Sequence, residues 1–459
     1  MASVKPKKNQ SLQKRKEEGQ EKRKTSFTDK FDKLDLQIHG VRLPSFTIEK
    51  EYLELVDSPE KIKSNYDFLI QLCQKGFKKL GLERGSDLHK KYTDRIYYEL
   101  DILKTLGFVD YILLVWKVTH FCAQQDIPIG LGRGSAAGSF VLYLLGVTRI
   151  DPVKYDLFFE RFVSKIRAKK KEVDGVTYLD GSLMCDIDMD VCYYRRKEVL
   201  KYLEVEFEGK TSKLRTLNTL SSKLVMKECG KIVDDKSEVE MNRVSSMIPK
   251  IFGQVKDVKE SYDEVEDFKN WCDDNPKTYK TALKLRGLVK NKGVHPSAIL
   301  LSHDDILNNC PLELDSDKDT ISSFDMNWAS IFNVKLDVLG LRTASVVAQA
   351  CKLIDIKVED IDLDDSSIYR NLYDLKNPHG IFQVEAGANF RVCQKVKPKN
   401  LEELSAVLAL ARPGAMQFVD QYANYTNNDV YEAIDPFFDD ILKSTGGVAL
   451  YQEQLMQMA

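Results

Sequence analysis

Asp186-Ile187-Asp188-Met189-Asp190 alternates acidic and apolar residues. Successive side chains of a strand point to opposite faces, so the three acids share one face while Ile187 and Met189 turn toward a core. Neighbouring acids on such a face stand about 6.5 Å apart at Cα. Carboxylates held this close call for a cation between them. Mg²⁺ takes carboxylate oxygens and leaves its other positions to water or substrate phosphate. Two such ions about 3.5–4 Å apart can clamp the attacking and leaving oxygens of a phosphoryl displacement. Taken alone, the pattern is better read as a half-buried strand with an acidic solvent face, since any such strand alternates polar and apolar residues.

Upstream lies Gly130-Leu131-Gly132-Arg133-Gly134-Ser135-Ala136-Ala137-Gly138-Ser139. Ile127-Pro128-Ile129 reads as a short strand feeding this turn, and Ala136 to Leu145 as the helix that follows it. A helix start offers unpaired N–H groups and a positive dipole end to phosphate. Ser135 can cap that helix or donate to a phosphate oxygen, and Arg133 can fork onto one. No Gly-Lys-Ser/Thr follows, so this is not a Walker A loop. A tight turn with no ligand remains an equal reading. The third piece is Val334-Lys335-Leu336-Asp337-Val338. Lys335 and Asp337 share a face. If this strand pairs with the acidic one, Asp337 joins the cluster and Lys335 stands beside it as a point charge for phosphate. Otherwise the two are an ordinary surface pair.

The rest of the chain sets bounds. At 43% hydrophobic and 30% charged it can bury a core and stay in solution, and its net charge of -2 announces no nucleic-acid partner, so any basic surface must be local. No secretory signal is visible. FVDYILLVWKVTHFCAQQ contains Asp110, Lys117 and His120 and is too short to span a bilayer, which needs about 20 apolar residues. The nine cysteines form no CxxC or zinc spacing and read as reduced, buried thiols of a cytoplasmic protein. Residues 1–31, rich in Lys, Arg, Gln and Glu, read as a disordered basic tail. Helices are expected over Ser64–Leu82, Asp87–Thr105 and Phe108–Gln125. A hairpin is expected over DGVTYLDGSL. Residues 213–290 read as a separate helical domain whose first helix is LRTLNTLSSKLVMKECGKIV. Strands return at 293–302 and 331–340, and helices follow from Thr343.

ELDILKTLGFVDYILLVWKVTHFCAQQDIPIGLGRGSAAGSFVLYLLGVTRIDPVKYDLFFERFV closely resembles the palm of bacterial C-family replicative DNA polymerases, the alpha subunit of DNA polymerase III. So do MCDIDMDVCYYRRKEVL, VKLDVLGLRTASVV, GIFQVEAGANF, LEELSAVLALARPGAMQ and GGVALYQEQLMQMA, in the same order. The resemblance implies an α+β fold: a polymerase-beta-like nucleotidyltransferase palm with a mixed sheet, a helical thumb and partial helical fingers. The implied layout is a tail over 1–31, a lead-in over 32–85, palm over 86–212 and 291–345, thumb over 213–290 and fingers over 346–459.

It further implies DNA-directed DNA synthesis with two Mg²⁺ ions, Mn²⁺ being an alternative, held by Asp186, Asp188 and Asp337. Arg133, Gly134, Ser135 and Lys335 would lie on the incoming dNTP, and Arg412 near the substrate. Asp190 would be a supporting acid, and His295 is structural. Lys165, Arg167, Lys169, Lys170 and Lys171 could meet the backbone of primer-template DNA. Leu131 and Cys185 stand where the family has proline. No metal-binding PHP domain is recognised, and the chain is expected to stop inside the fingers. This suggests a compact, bacteriophage-encoded polymerase that is either truncated or completed by a second chain. A template-independent nucleotidyltransferase on the same palm is a further alternative.

Overall fold

The computed structural model describes residues 39–165, 169–181, 184–251, 254–315 and 317–459. The basic tail and Arg167 lie outside the described residues. The architecture is mixed α and β, as the sequence implied.

Three helices wrap the first core, and each has a local reason for its ends. Helix Asn65–Lys78 starts after Ser64, whose hydroxyl accepts the Asp67 N–H. Helix Asp87–Leu106 starts after Ser86 in the same way and stops at Gly107, at φ 80°. Helix Val109–Gln124 is buried along most of its length and carries Trp116 into a cluster with Phe46, Tyr52 and Phe68. Its Lys117 is buried but paired with Glu49 and Glu206. Among the described residues no single helix is long and apolar enough to cross a membrane. All nine cysteines are free and buried.

The strands are β1 (Lys170–Val173), β2 (Val176–Leu179), β3 (Asp188–Cys192), β4 (Thr211–Thr219), β5 (Lys250–Ile251), β6 (Gln254–Val255), β7 (Val289–Leu301), β8 (Leu312–Leu314), β9 (Thr320–Asp325) and β10 (Val334–Leu341). β1 and β2 form a hairpin around Asp174-Gly175, both at positive φ as a two-residue turn requires. The hairpin therefore begins earlier than expected and takes Lys170 and Lys171 out of the loop and onto a strand.

The central sheet has the order β3-β10-β7-β4-β9-β8, with β3–β10 and β4–β9 parallel and the other pairs antiparallel. The expected helix over LRTLNTL is instead β4. It pairs with β7 along its length, and the helix begins only at Ser222. β4 and β7 leave the sheet as a ribbon. Between them hangs a helical unit with its own core of Val225, Met226, Met241, Val244, Phe268 and Trp271. A further core, including Val392, Cys393, Val396, Val407, Leu410 and Tyr422, unites the helices beyond residue 386.

Candidate active site

β3 and β10 are adjacent and parallel, and Asp188 stands in register with Asp337. The strand itself starts at Asp188, so Asp186 lies just ahead of it. Buried Ile187 and Met189 anchor the segment to the core. The Tyr111 hydroxyl, 3.2 Å from the Cys185 carbonyl oxygen, donates to it and fixes the approach. The result is a convergence of one oxygen each from Asp186, Asp188 and Asp337, all within 4.8 Å of one another.

Lys335 is set into this cluster. Its Nζ lies 2.8 Å from Asp337 Oδ2 and 3.7 Å from Asp186 Oδ2. Asp337 is buried, and its other oxygen, Oδ1, has no hydrogen-bond partner among the described residues. Burial raises the Asp186 carboxyl above its ordinary range; Lys335 opposes this, and the Asp337 and Asp188 carboxylates add to it. Burial works against the Lys335 charge, but the bond to Asp337 and the surrounding acids outweigh it and raise the ammonium. The site is a set of hard oxygen donors held partly in check by Lys335 on one side.

The glycine turn closes over the same acids. Ile129 bridges Val191, and the Gly130 N–H donates to the Asp190 carbonyl oxygen at 2.8 Å. This close approach needs glycine, since a Cβ at Gly130 would lie 2.7 Å from the Asp190 Cβ. Ile127-Pro128-Ile129 is thus a single bridge at the sheet edge and not a regular strand. Arg133 faces inward, its Nε 3.4 Å from Asp188 Oδ2 and 3.6 Å from Asp190 Oδ2. Burial raises the Asp190 carboxyl, Arg133 opposes the rise and Asp188 reinforces it. Gly134 adopts φ +67° beside Asp188 Oδ2, and half-buried Ser135 follows it.

The expected helix Ala136–Leu145 is broken in two. Gly134–Gly138 is a 3₁₀ turn, and the α-helix spans Phe140–Leu144. Ser139, not Ser135, is its cap, accepting the Leu142 N–H. Its first amides are not open to phosphate. The Glu99 carboxylate, reaching across from helix Asp87–Leu106, accepts from the N–H groups of Phe140 and Val141. Glu99 was overlooked in the sequence. The signal was there, since Tyr92, Ile96, Glu99 and Leu103 fall on one helical stripe. We expect Ser139→Ala to cost about 1 kcal/mol of stability and Ser135→Ala to be neutral, as read by urea denaturation.

Other expected residues fall elsewhere. Arg412 is exposed in the turn after helix Leu401–Leu410 and forms no ion pair with the three acids among the described residues. Lys169, Lys170 and Lys171 are exposed at the β1–β2 hairpin. The His295 Nδ1 accepts the Ala298 N–H at 2.9 Å, a structural bond within β7.

Comparison with known proteins identifies the scaffold. Residues 67–340 match the model of the bacterial DNA polymerase III alpha NTPase domain, and residues 342–459 match that of the bacterial DNA polymerase III alpha subunit finger domain. The chain belongs to the bacterial DNA polymerase III alpha family. DNA polymerase III subunit alpha of Staphylococcus aureus (strain MRSA252) is 33% identical over 444 residues, which cover 93% of this chain and 38% of that protein. Its counterpart from Campylobacter jejuni is 31% identical over 451 residues, covering 93% and 36%. The chain thus spans well under half the length of these relatives. The boundary between the two family models, at residues 340–342, falls where β10 passes into helix Arg342–Leu353.

Proposed function

We propose that this chain carries the nucleotidyl-transfer site of a DNA-directed DNA polymerase, which extends a primer 3′-hydroxyl on a template strand with dNTPs in the bacterial cytoplasm. The observation that carries the reading is the meeting of Asp186, Asp188 and Asp337 across two parallel strands of a family palm. The residues fit a divalent cation. All their donors are carboxylate oxygens, and the buried Asp337 Oδ1 has no hydrogen-bond partner among the described residues. Asp186 and Asp188 would hold both of two ions, Mg²⁺ or Mn²⁺, and Asp337 the one on the primer side. Bound ions would make the primer hydroxyl more acidic and offset charge on the phosphates.

The protein's own cations complete the arrangement. Lys335 and Arg133 now neutralise the acids. In the substrate complex Lys335 would face the triphosphate as a point charge and Arg133 would pair with its oxygens in a fork. Gly134 and Ser135 let the backbone approach the nucleotide. Lys169, Lys170 and Lys171 offer phosphate contacts to the duplex, and Arg412 approaches the substrate from the fingers.

The test pairs primer extension with Mn²⁺ binding followed by electron paramagnetic resonance. Template-dependent incorporation together with Mn²⁺ binding is expected. Incorporation without a template would favour a terminal nucleotide-adding enzyme. Mn²⁺ binding without extension until a second chain is supplied would favour a polymerase assembled from two polypeptides, possible in a phage-infected cell. The absence of both extension and Mn²⁺ binding would overturn the reading.

A further inference from the structure

β3 and β10 end together, Cys192 opposite Leu341. One residue on, Tyr193 and Arg342 meet, the guanidinium carbon 4.7 Å from the ring centroid. Tyr194 packs edge-to-face on Tyr193, with centroids 5.5 Å apart and planes at 87°. Neither ring is used by the core: Tyr193 is 46% and Tyr194 71% exposed. The rings are braced without being covered.

The charges around them are one-sided. Arg195 holds Glu198 by two bonds, at 2.8 and 2.7 Å, which satisfies the nearby acid. The Arg196 Nε donates to the Val338 carbonyl oxygen at 2.6 Å, so no carboxylate takes this bond. Exposed Lys197 and Arg342 have no carboxylate partner among the described residues. The open aromatic face of Tyr194, beside cations that no carboxylate neutralises, complements a polyanion whose π-faces are accessible. A duplex stacks its bases internally and has none to offer.

We infer that Tyr193, Tyr194, Lys197 and Arg342 form a stacking site for single-stranded nucleic acid, separate from the acid cluster. The four residue steps from the Asp188–Asp337 rung to the Cys192–Leu341 rung put it about 13 Å along the strands from the acids. A base lies on the open face of Tyr194, and the flanking phosphates pair with Lys197 and Arg342. Cation–π contact with Arg342 keeps Tyr193, and through it Tyr194, in position. The site requires neither the metal nor the transfer reaction proposed above.

It is therefore tested in EDTA, by fluorescence anisotropy of labelled oligo(dT) and by photocrosslinking of a 5-iododeoxyuridine oligonucleotide. Tyr193→Ala/Tyr194→Ala should weaken oligo(dT) binding about tenfold while leaving blunt-duplex affinity unchanged. Tyr194→Phe should bind as the parent does. Crosslinks should map to Tyr193 or Tyr194. Both rings are exposed, so the double variant should keep the parental circular dichroism. The inference is overturned if the parent fails to bind oligo(dT), if the double variant binds it equally well, if both DNA forms lose affinity alike, or if crosslinks fall elsewhere.

Discussion

Asp186→Asn is expected to abolish primer extension and to stabilise the metal-free protein. The two effects have one cause. Three carboxylates converge within 4.8 Å, with Lys335 beside Asp186 and Asp337 and Arg133 beside Asp188 to balance them. Burial and the neighbouring Asp337 and Asp188 disfavour the ionised Asp186. Amide replacement removes that repulsion without emptying volume, and Lys335 keeps its 2.8 Å bond to Asp337. Asp186 is more than half exposed, so solvent screens this repulsion and the gain should be small. The same change removes an anionic metal ligand, and extension should fall by at least about 10²–10³-fold, the scale of losing one electrostatic contact in a transition state. Asp186→Asn/Asp188→Asn should be little slower than either single variant, because the ligands act as a unit. Mn²⁺ at about 100 times its dissociation constant should stabilise the parent by about 2.7 kcal/mol and the variant by less. Thermal melts with and without Mn²⁺, run beside extension assays, read all of this. A variant that melts lower yet extends normally would show the acids to be structural.

The acids were legible because alternation is local: Ile187 and Met189 must be buried, so their neighbours must face out together. Membership of Asp337 was legible only as a condition, since pairing between strands so far apart in sequence leaves no local trace. The helix expected at LRTLNTL failed for a related reason. Leu214, Leu217 and Leu220 have helical spacing, yet Thr216 and Thr219 suit a strand, and β7 offers the pairing partner. Leu214 is buried there and Leu217 exposed, as strand partners on different surfaces can be. At the glycine turn, small residues did signal close approach. The inward direction of Arg133 and the break before Phe140 depend on Asp188, Asp190 and Glu99, which come from other elements.

Glu99→Ala should be the most destabilising of the substitutions considered, at about 3–5 kcal/mol. Against a typical total of about 5–15 kcal/mol, this threatens the fold itself. The carboxylate is wholly buried and fully used. Oε1 accepts from the Arg95 Nε at 2.6 Å and the Phe140 N–H at 2.9 Å, while Oε2 accepts from the Ser139 hydroxyl at 2.9 Å and the Val141 N–H at 3.0 Å. Burial pushes this carboxyl upward, and Arg95 with the two amides opposes the rise. Truncation leaves all these donors without their acceptor, and unsatisfied buried groups bear their full desolvation cost. Arg95 would keep its bonds to the carbonyl oxygens of Gly138 and Leu157, at 2.7 and 2.9 Å, but lose its counter-charge. Glu99→Gln should recover only part of the loss, since its NH₂ would face another donor at Ser139 or Val141. The damage reaches the site, because the Glu99 bonds fix the end of the turn that carries Arg133, Gly134 and Ser135. Urea denaturation should therefore show a lower midpoint with an unchanged slope, and surviving protein should bind dNTP more weakly. An alanine variant as stable as the parent would mean that the helix at Phe140 is held by other contacts.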